Sequence, residues 1–573
     1  MIVHVLACDY DGTIADEGRL APDTLAVLAR VRESGRKLFL VTGRMLDDLQ
    51  RVCPDLDRIF DLVVAENGGL LYVPGRRELR RLGDAPELAL VESLQRRGVP
   101  IDVGSSILAT TADFAEAALA AIQETGVERS LVFNKGALML LPGGVTKGTG
   151  LAAALDATQL SVHNLAGIGD AENDHAFLAM CECAAAVGDA IAALKERADI
   201  VLPGPASRGA IQFAEQHVLR DLADLAPKLS RHDIKIGEAS DGAAVALAAH
   251  GTRLLVVGPS GSGKTTLTLA LVEQLVDVGR TTCLIDPEGD YDALSDMQHV
   301  LVMGGKAEQA LPTPDELDQL LARPGETLVL NLSALSRADK VTYASKVLAV
   351  ANAVRGVRGM PHWLVVDEAH HIFPADGSRA MELLPAGMES LCLITLGVDD
   401  LPRDVLERVN VVASTDLGAF RDATQGVVGH YVHGLRLPEG TPLERGEAAI
   451  AWREPHRLAV RFRVRTRRTE HRRHVRKYTE GELPEERSFY FRGPAKALNL
   501  RAANLVRFVE LADGVDEATW EYHLRQGDYA TWLRDEVKDP ELADEITAIA
   551  REVMPAAESR PRALAAIRRK YTV

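Results

Sequence analysis

Two carboxylates lie two residues apart in Asp9-Tyr10-Asp11-Gly12-Thr13, directly after the apolar run 3–8. A strand ending there sets both acids at the crevice where open α/β sheets bind ligands. One carboxylate can then attack phosphorus while the other handles the leaving-group proton. An Asp-Gly pair also makes a plain turn, so its companions decide the reading. Three follow in order, each at a strand end or loop. Thr42-Gly43-Arg44 offers a hydroxyl and backbone N–H groups to a phosphate. Lys147, in the glycine-rich loop 143–150, can bring an ammonium to the transferring group. Gly169-Asp170-Ala171-Glu172-Asn173-Asp174 supplies hard oxygen ligands for Mg²⁺.

A second chemistry begins at Gly258-Pro259-Ser260-Gly261-Ser262-Gly263-Lys264-Thr265, a GxxxxGK[ST] loop between an apolar strand at 254–257 and a helical stretch at 266–276. That context is the one the motif requires. The loop from Gly258 to Thr266 would cradle ATP phosphates, with Lys264 on the β- and γ-phosphates and Thr265 on Mg²⁺. Downstream, Trp363-Leu364-Val365-Val366-Asp367-Glu368 is an apolar strand ending in two acids. Asp367 would hold the Mg²⁺ shell and Glu368 would orient or activate water.

Positioning these groups takes parallel sheets. Short apolar runs at 3–8, 37–41 and 165–168 alternate with helical periodicity, as do those at 253–257, 281–285, 363–366, 392–395 and 411–414. The chain has 573 residues, 47% hydrophobic and 26% charged, which implies several folded domains. A net charge of −17 argues against a dedicated nucleic-acid binder. The six cysteines (8, 53, 181, 183, 283 and 392) form no CxxC pair, so neither a zinc site nor a disulfide framework is expected of them. The opening residues are too short for a signal peptide, and no apolar run reaches membrane-spanning length. A cytoplasmic location follows as an expectation.

In this order the first four motifs resemble the haloacid-dehalogenase (HAD) phosphatases, in particular the cap-containing IIB or Cof-like subgroup. Ala65-Glu66-Asn67-Gly68-Gly69 and the long gap before Lys147 add to the likeness. The resemblance implies that Asp9 is the nucleophile, forming an aspartyl-phosphate, and that Asp11 is the general acid/base. Thr42, Gly43 and Lys147 would hold the phosphoryl group. Asp9, Asp11, Asp170, Asn173 and Asp174 would form the metal site and its support. Ile285-Asp286-Pro287-Glu288-Gly289-Asp290-Tyr291, Asp367-Glu368-Ala369-His370 and Ile234-Lys235-Ile236-Gly237 resemble the HerA/FtsK group of ATPases. At Thr395-Leu396-Gly397, however, the glutamine usual in that group is missing.

The fold class expected is α/β: a HAD Rossmann-like core with an inserted α/β cap, then a P-loop domain, then a small helical domain. The boundaries read 1–218 for the phosphatase (core 1–71 and 146–218, cap 72–145), 219–233 for a helical connector, 234–465 for the ATPase and 466–573 for a basic segment with a helical tail. Trp520 and Trp532 would anchor the core of that tail. Cap residues Arg76, Arg77, Arg80, Arg81 and Lys135 are candidates for an anionic leaving group, though a solvated face explains them equally well. Arg461, Arg463 and Arg465 alternate with Val460, Phe462 and Val464, with Arg467, Arg468, Arg472, Arg473 and Arg476 beyond. This stripe reads as structural pairing or a protected edge ahead of a phosphate-binding surface.

The leading expectation is a Mg²⁺-dependent phosphatase acting on a small phosphorylated metabolite, fused to an ATP-binding and ATP-hydrolysing domain. Beside it stand an ATP-gated switch and a HerA-like nucleic-acid motor with an accessory phosphatase. A homo-oligomer through the P-loop domain stays open, with Arg403, Arg408 and Arg421 as arginine-finger candidates. No membrane partner is expected.

Overall fold

The computed structural model describes residues 2–134, 136–305, 310–373, 384, 390–427, 442–454, 457–465, 483, 485–494, 496, 498–537, 539–552 and 554–571. It divides into two compact units, 1–292 with 298–465 and 293–297 with 466–573.

The first unit contains two parallel-centred sheets. Strands β1 (Val5–Cys8), β2 (Lys37–Val41), β3 (Leu62–Ala65), β4 (Leu70–Val73) and β5 (Glu78–Arg81) open the chain. An insertion contributes β6 (Asp102–Val103), β7 (Leu108–Thr111), β8 (Arg129–Asn134) and β9 (Ala137–Pro142). Strands β10 (Leu165–Gly169), β11 (Cys183–Ala186) and β12 (Ile200–Val201) then rejoin the first sheet. Its order is β12-β11-β10-β1-β2-β3-β4-β5, parallel as far as β3 and antiparallel beyond. All four residues of β1 and of β3 are buried. Such unbroken apolar runs suit strands covered on both faces.

The inserted cap folds as a separate antiparallel sheet, β6-β7-β9-β8, around its own core of Leu90, Leu94, Leu108, Leu138 and Leu140. It begins later than residue 72. Tyr72 pairs with Val63 and Leu79, so the hairpin β4–β5 extends the core sheet and is not part of the cap. The stretch 219–233 also departs from expectation. It forms short 3₁₀ turns, Val218–Arg220, Ala226–Lys228 and Ser230–His232. Val218, Leu222 and Leu229 are buried in the first core, which anchors the segment there.

The second sheet holds β13 (Ile234–Ala239), β14 (Ala244–Leu247), β15 (Arg253–Val257), β16 (Thr282–Asp286), β17 (Val300–Gly304), β18 (Thr327–Asn331), β19 (Trp363–Val366), β20 (Leu391–Thr395), β21 (Val411–Ser414), β22 (Glu447–Trp452) and β23 (Val460–Val464). Their order is β14-β13-β23-β22-β21-β15-β20-β19-β16-β18-β17. The basic-apolar strand β23 is therefore internal, bonded to β13 and β22 on either side. Its arginines are consumed locally: Arg461 pairs with Glu447, Arg463 with Glu444 at 3.5 Å, and Arg465 donates to Gln274 Oε1 at 2.6 Å. Arg467, Arg468, Arg472, Arg473 and Arg476 lie outside the described residues.

The two sheets meet at the N-terminal ends of their strands. Glu182, just before β11, is fully buried. It accepts from Arg280 NH2 at 2.5 Å, with His250 Nε2 at 2.5 Å and His163 Nδ1 at 2.6 Å. His163 Nε2 lies 2.8 Å from the carbonyl of Val278, and His362 Nε2 lies 3.1 Å from Asn164 Oδ1. Arg280 and the surrounding ring nitrogens hold the Glu182 carboxylate in its charged form even though burial opposes it.

The second unit, taken by itself, starts with a hairpin of β24 (Phe489–Phe491) and β25 (Leu500–Ala502), where helix had been expected. Helices from Leu505 to Tyr571 follow. Trp520 and Trp532 are buried in its core, and their indole N–H groups donate to Ser559 Oγ at 3.1 Å and to the Arg487 carbonyl at 2.9 Å. Among the described residues no helix is long and apolar enough to cross a membrane.

Burial holds the His250 imidazole down to about 4, from an ordinary 6.5. The unfolded chain therefore takes up a proton in that window that the folded chain refuses. Stability is full above pH 6.5 and declines as the pH falls toward 4. Thermal melts across this range should show the decline, and His250→Gln should lessen it, since the buried His362 imidazole acts in the same direction.

Candidate active sites

Asp9 follows β1 and is 5% exposed. Asp170 follows β10, the neighbour of β1, so the two carboxyls arrive side by side. Asp174 turns back onto the same strand end, where its Oδ2 accepts from the backbone N–H groups of Asp170 at 2.8 Å and Ala171 at 2.9 Å. Gly169 makes room for that carboxylate, since a Cβ there would stand 2.6 Å from Asp174 Oδ2. Thr13 Oγ donates to Asp170 Oδ1 at 2.8 Å. That link was missed in the sequence, although Thr13 closes the Asp9–Thr13 motif. One carboxylate oxygen from each of Asp9, Asp170 and Asp174 lies within 4.8 Å of the others.

Lys147 is not on a flexible loop. It is the first residue of the helix Lys147–Thr158, whose N-cap Thr146 exchanges side-chain and backbone bonds with Thr149. Its ammonium is 1% exposed and donates to Asp9 Oδ1 at 2.5 Å and Asp174 Oδ1 at 2.6 Å. Burial pushes the Asp9 carboxyl well above the usual carboxylate range; Lys147 opposes this, while Asp174 and Asp170 add to it. Three buried carboxylates thus share one ammonium, a deficit of two charges that one divalent cation would fill. Asn173 Oδ1 is buried with no hydrogen-bond partner. The donor set and its charge fit Mg²⁺.

The remaining predicted residues stand at the rim. Thr42 is buried at the end of β2 and its hydroxyl accepts from Arg44 N–H at 3.2 Å. Gly43 adjoins it, with the side chains of Asn67 and Met139 at van der Waals distance from where a Cβ would be. Asp11 lies outside the buried carboxylate cluster. Arg44 grips it at two points, Nε at 2.6 Å and NH2 at 2.8 Å, so its side chain is turned toward the rim and not toward the cation position.

A cavity of about 770 Å³ extends from Asp9 to the cap, lined among others by Asp11, Thr42, Arg44, Ser105, Asn134 and Met139. The cap is latched over it by Glu66, whose carboxylate accepts from Ser105 N–H at 3.0 Å and Ser106 N–H at 2.8 Å. Asn67 also joins core to cap, donating to Met139 Sδ at 2.7 Å and accepting from Asn173 Nδ2 at 2.8 Å. Their place in the sequence was noted but no role was drawn from it; the signal was the pair of glycines that follows. At Gly68 (φ +103°) a Cβ would fall 1.9 Å from the Thr146 carbonyl, so the turn packs directly on the Lys147 helix. Arginines 76, 77, 80 and 81, expected in the cap, are exposed on the core hairpin β4–β5 and do not line the cavity; among described residues its basic lining comes from Arg44 and Arg51. Lys135 lies outside the described residues.

The second site forms where β15 runs into the helix Lys264–Asp277. Gly258, Ser260, Gly261, Ser262 and Gly263 make the connecting loop, and Thr266 lies in the helix's first turn. Lys264 Nζ donates to the carbonyls of Gly258 at 2.8 Å and Pro259 at 3.1 Å. Thr265 Oγ lies 3.5 Å from Asp290 Oδ2, and Thr415 Oγ donates to Ser262 Oγ at 3.0 Å. Asp367, at the end of β19, is pushed up to about 7, chiefly by burial. Asp286 Oδ1 accepts from the N–H groups of Glu288, Gly289 and Asp290, and its Oδ2 from that of Tyr291. Burial still pushes it up to about 6. Glu368 takes a left-handed backbone, φ 42°. Thr395 stands where a glutamine was sought, and its hydroxyl lies 3.4 Å from His370 Nδ1. Of the finger candidates, Arg403 is 93% exposed beside Glu407, Arg408 donates to the Leu384 carbonyl, and Arg421 is exposed.

Comparison with known proteins follows this division. A model for haloacid dehalogenase-like hydrolases matches residues 6–81 and 103–213, and one for an AAA domain matches 249–402. The chain is 31% identical over 208 residues to a phosphoglycolate phosphatase of Methanothermobacter thermautotrophicus, covering 35% of this chain and 91% of the relative. It is 33% identical over 208 residues to one of Haloarcula marismortui, covering 34% and 89%. A crystal structure of a haloacid dehalogenase-like hydrolase from Bacteroides thetaiotaomicron aligns at 17% identity and a TM-score of 0.34, over 37% of this chain and 99% of that one.

Lys147→Met would leave the buried carboxylates without their ammonium. In metal-free buffer it should cost about 3 kcal/mol or more, and added Mg²⁺ should raise its melting temperature more than that of wild type, as read by calorimetry.

Proposed function

Through its N-terminal part the chain belongs to the haloacid dehalogenase-like hydrolases, and from that premise we propose that it is a phosphomonoester hydrolase working through an aspartyl-phosphate on Asp9. The observation that carries this reading is the Lys147 ammonium held between Asp9 and Asp174 in a buried cluster. Asp9 attacks phosphorus. The ester bond breaks, and Asp11 gives its proton to the departing oxygen. Asp11 then takes a proton from water as that water attacks the phosphorus, freeing inorganic phosphate and restoring Asp9. Thr42, the Gly43 backbone and Lys147 hold the phosphoryl oxygens. Asp9, Asp170 and Asp174, supported by Asn173, would hold Mg²⁺, which supplies positive charge against the repulsion between carboxylate and phosphate.

The substrate proposed is a small phosphorylated metabolite that fits beneath the cap, of the sugar-phosphate or phosphoglycolate kind. The cap and motif order support reading the domain as one of the IIB, Cof-like phosphatases. The AAA-type P-loop domain is proposed to bind and hydrolyse ATP. Lys264 would engage the phosphates, Thr265 and Asp367 would hold Mg²⁺, and Glu368 would orient water. Its affinity to the HerA/FtsK group rests on the Asp286 loop and on Asp367–His370. A nucleic-acid motor stays the second reading, because each arginine of β23 has a partner within the chain.

Across a panel of phosphorylated metabolites, Asp9→Asn should abolish phosphate release while leaving ATP binding intact; loss of both would contradict separate sites. Glu368→Gln should slow ATP turnover by about 100-fold or more with nucleotide affinity retained. Turnover unaffected by Glu368→Gln would favour the ATP-gated switch.

A further inference from the structure

Beyond Asp367 the chain makes a tight turn that brings three metal-binding side chains together. One ligand atom from each of Glu368, His370 and His371 lies within 4.8 Å of the other two. The two imidazole rings are 4.2 Å apart at 42°. The turn is fixed from within: the N–H of His371 donates to the Glu368 carbonyl at 2.8 Å, and the left-handed backbone of Glu368 turns the chain back on itself.

Hydrogen bonding accounts for only part of this grouping: the Thr395 hydroxyl lies 3.4 Å from His370 Nδ1. Glu368 Oε2 and His371 Nδ1 are both buried with no hydrogen-bond partner. His370 Nδ1 approaches Glu368 Oε2 only to 3.4 Å, and buried polar atoms normally find partners. That separation has another meaning. Two ligands each about 2.05 Å from a tetrahedral Zn²⁺ stand about 3.3 Å apart. The side chains of Glu368 and His370 are 21% and 15% exposed, which sets the cluster close to the surface. Glu288, Asp290 and Asp400 lie within electrostatic reach of the cluster, as do the opposing Lys264 and Arg337.

We infer that Glu368, His370 and His371 form a binding site for a borderline transition-metal cation of the Zn²⁺ class, with a fourth position open to water. Two imidazoles and one carboxylate suit Zn²⁺, Co²⁺ or Ni²⁺, whereas Mg²⁺ prefers oxygen-rich sets such as Asp9, Asp170 and Asp174. Occupancy ties up Glu368. If that residue orients the water for ATP hydrolysis, as proposed above, the ion inhibits turnover; binding itself does not depend on that role.

The test is Zn²⁺ titration of the full-length protein against a chromophoric chelator, with Mg²⁺ saturating so that the Asp9 cluster is filled. Wild type should take up one equivalent more than His371→Ala or His370→Ala, or bind that equivalent at least about tenfold more tightly. Phosphatase turnover by His371→Ala should match wild type, which shows that the variant is folded. Zn²⁺ should inhibit wild-type ATP hydrolysis at lower concentration than it inhibits His371→Ala. Equal Zn²⁺ uptake by wild type and both variants overturns the site. Uptake that differs while ATP hydrolysis is equally sensitive in all three keeps the site and removes Glu368 from the ATPase reaction.

Discussion

Like charges resist burial together, and the N-terminal domain is organised around one place where they are buried. Asp9, Asp170 and Asp174 come from the ends of two adjacent parallel strands, and Lys147 is the one ammonium shared between Asp9 and Asp174. Each neighbouring feature serves that balance. The helix N-cap at Thr146 fixes where Lys147 starts. Gly169 admits the Asp174 carboxylate, and Gly68 lets the preceding turn sit against the same helix. The residual negative charge suits the cluster to a divalent cation.

Much of this could be read from the sequence. Continuous apolar runs gave strands such as β2, β15, β19 and β21 to the residue, because buried parallel strands leave little ambiguity in pattern. The motif residues fall at the expected strand ends for the same reason. What escaped was set by contacts distant in sequence. Glycines around Lys147 suggested a loop, but Gly148 and Gly150 serve close packing against Ala176 and Gly68 within a helix. The cap boundary was misplaced because Tyr72–Arg81 carries no mark that distinguishes an added core strand from an insertion. Asp11 could not be assigned to Arg44 without the fold, since the two lie 33 residues apart.

The arginine-rich strand shows the same limit from the other side. Its alternation of apolar and basic residues predicted a strand correctly. Composition alone could not say whether the basic face meets phosphate or protein. Pairing with β22 places Glu447 opposite Arg463 and beside Arg461, with which it forms an ion pair. A charged stripe is thus a statement about complementarity, and for Arg461, Arg463 and Arg465 the complement belongs to the same chain.

The joining of the two sheets through the feet of their strands has a consequence for traffic. Ligand crevices in such sheets open at the opposite, carboxyl ends, so the two catalytic mouths face away from each other. Nothing released at one can reach the other without a passage through bulk solvent. The path through the protein between them is short: the P-loop helix spans roughly 21 Å down to Val278, whose carbonyl meets His163. From there β10 runs about 17 Å up to Asp170. That contact, with those of Glu182 to Arg280 and His250 beside it, joins the P-loop helix to the strand that carries an acid of the phosphatase cluster.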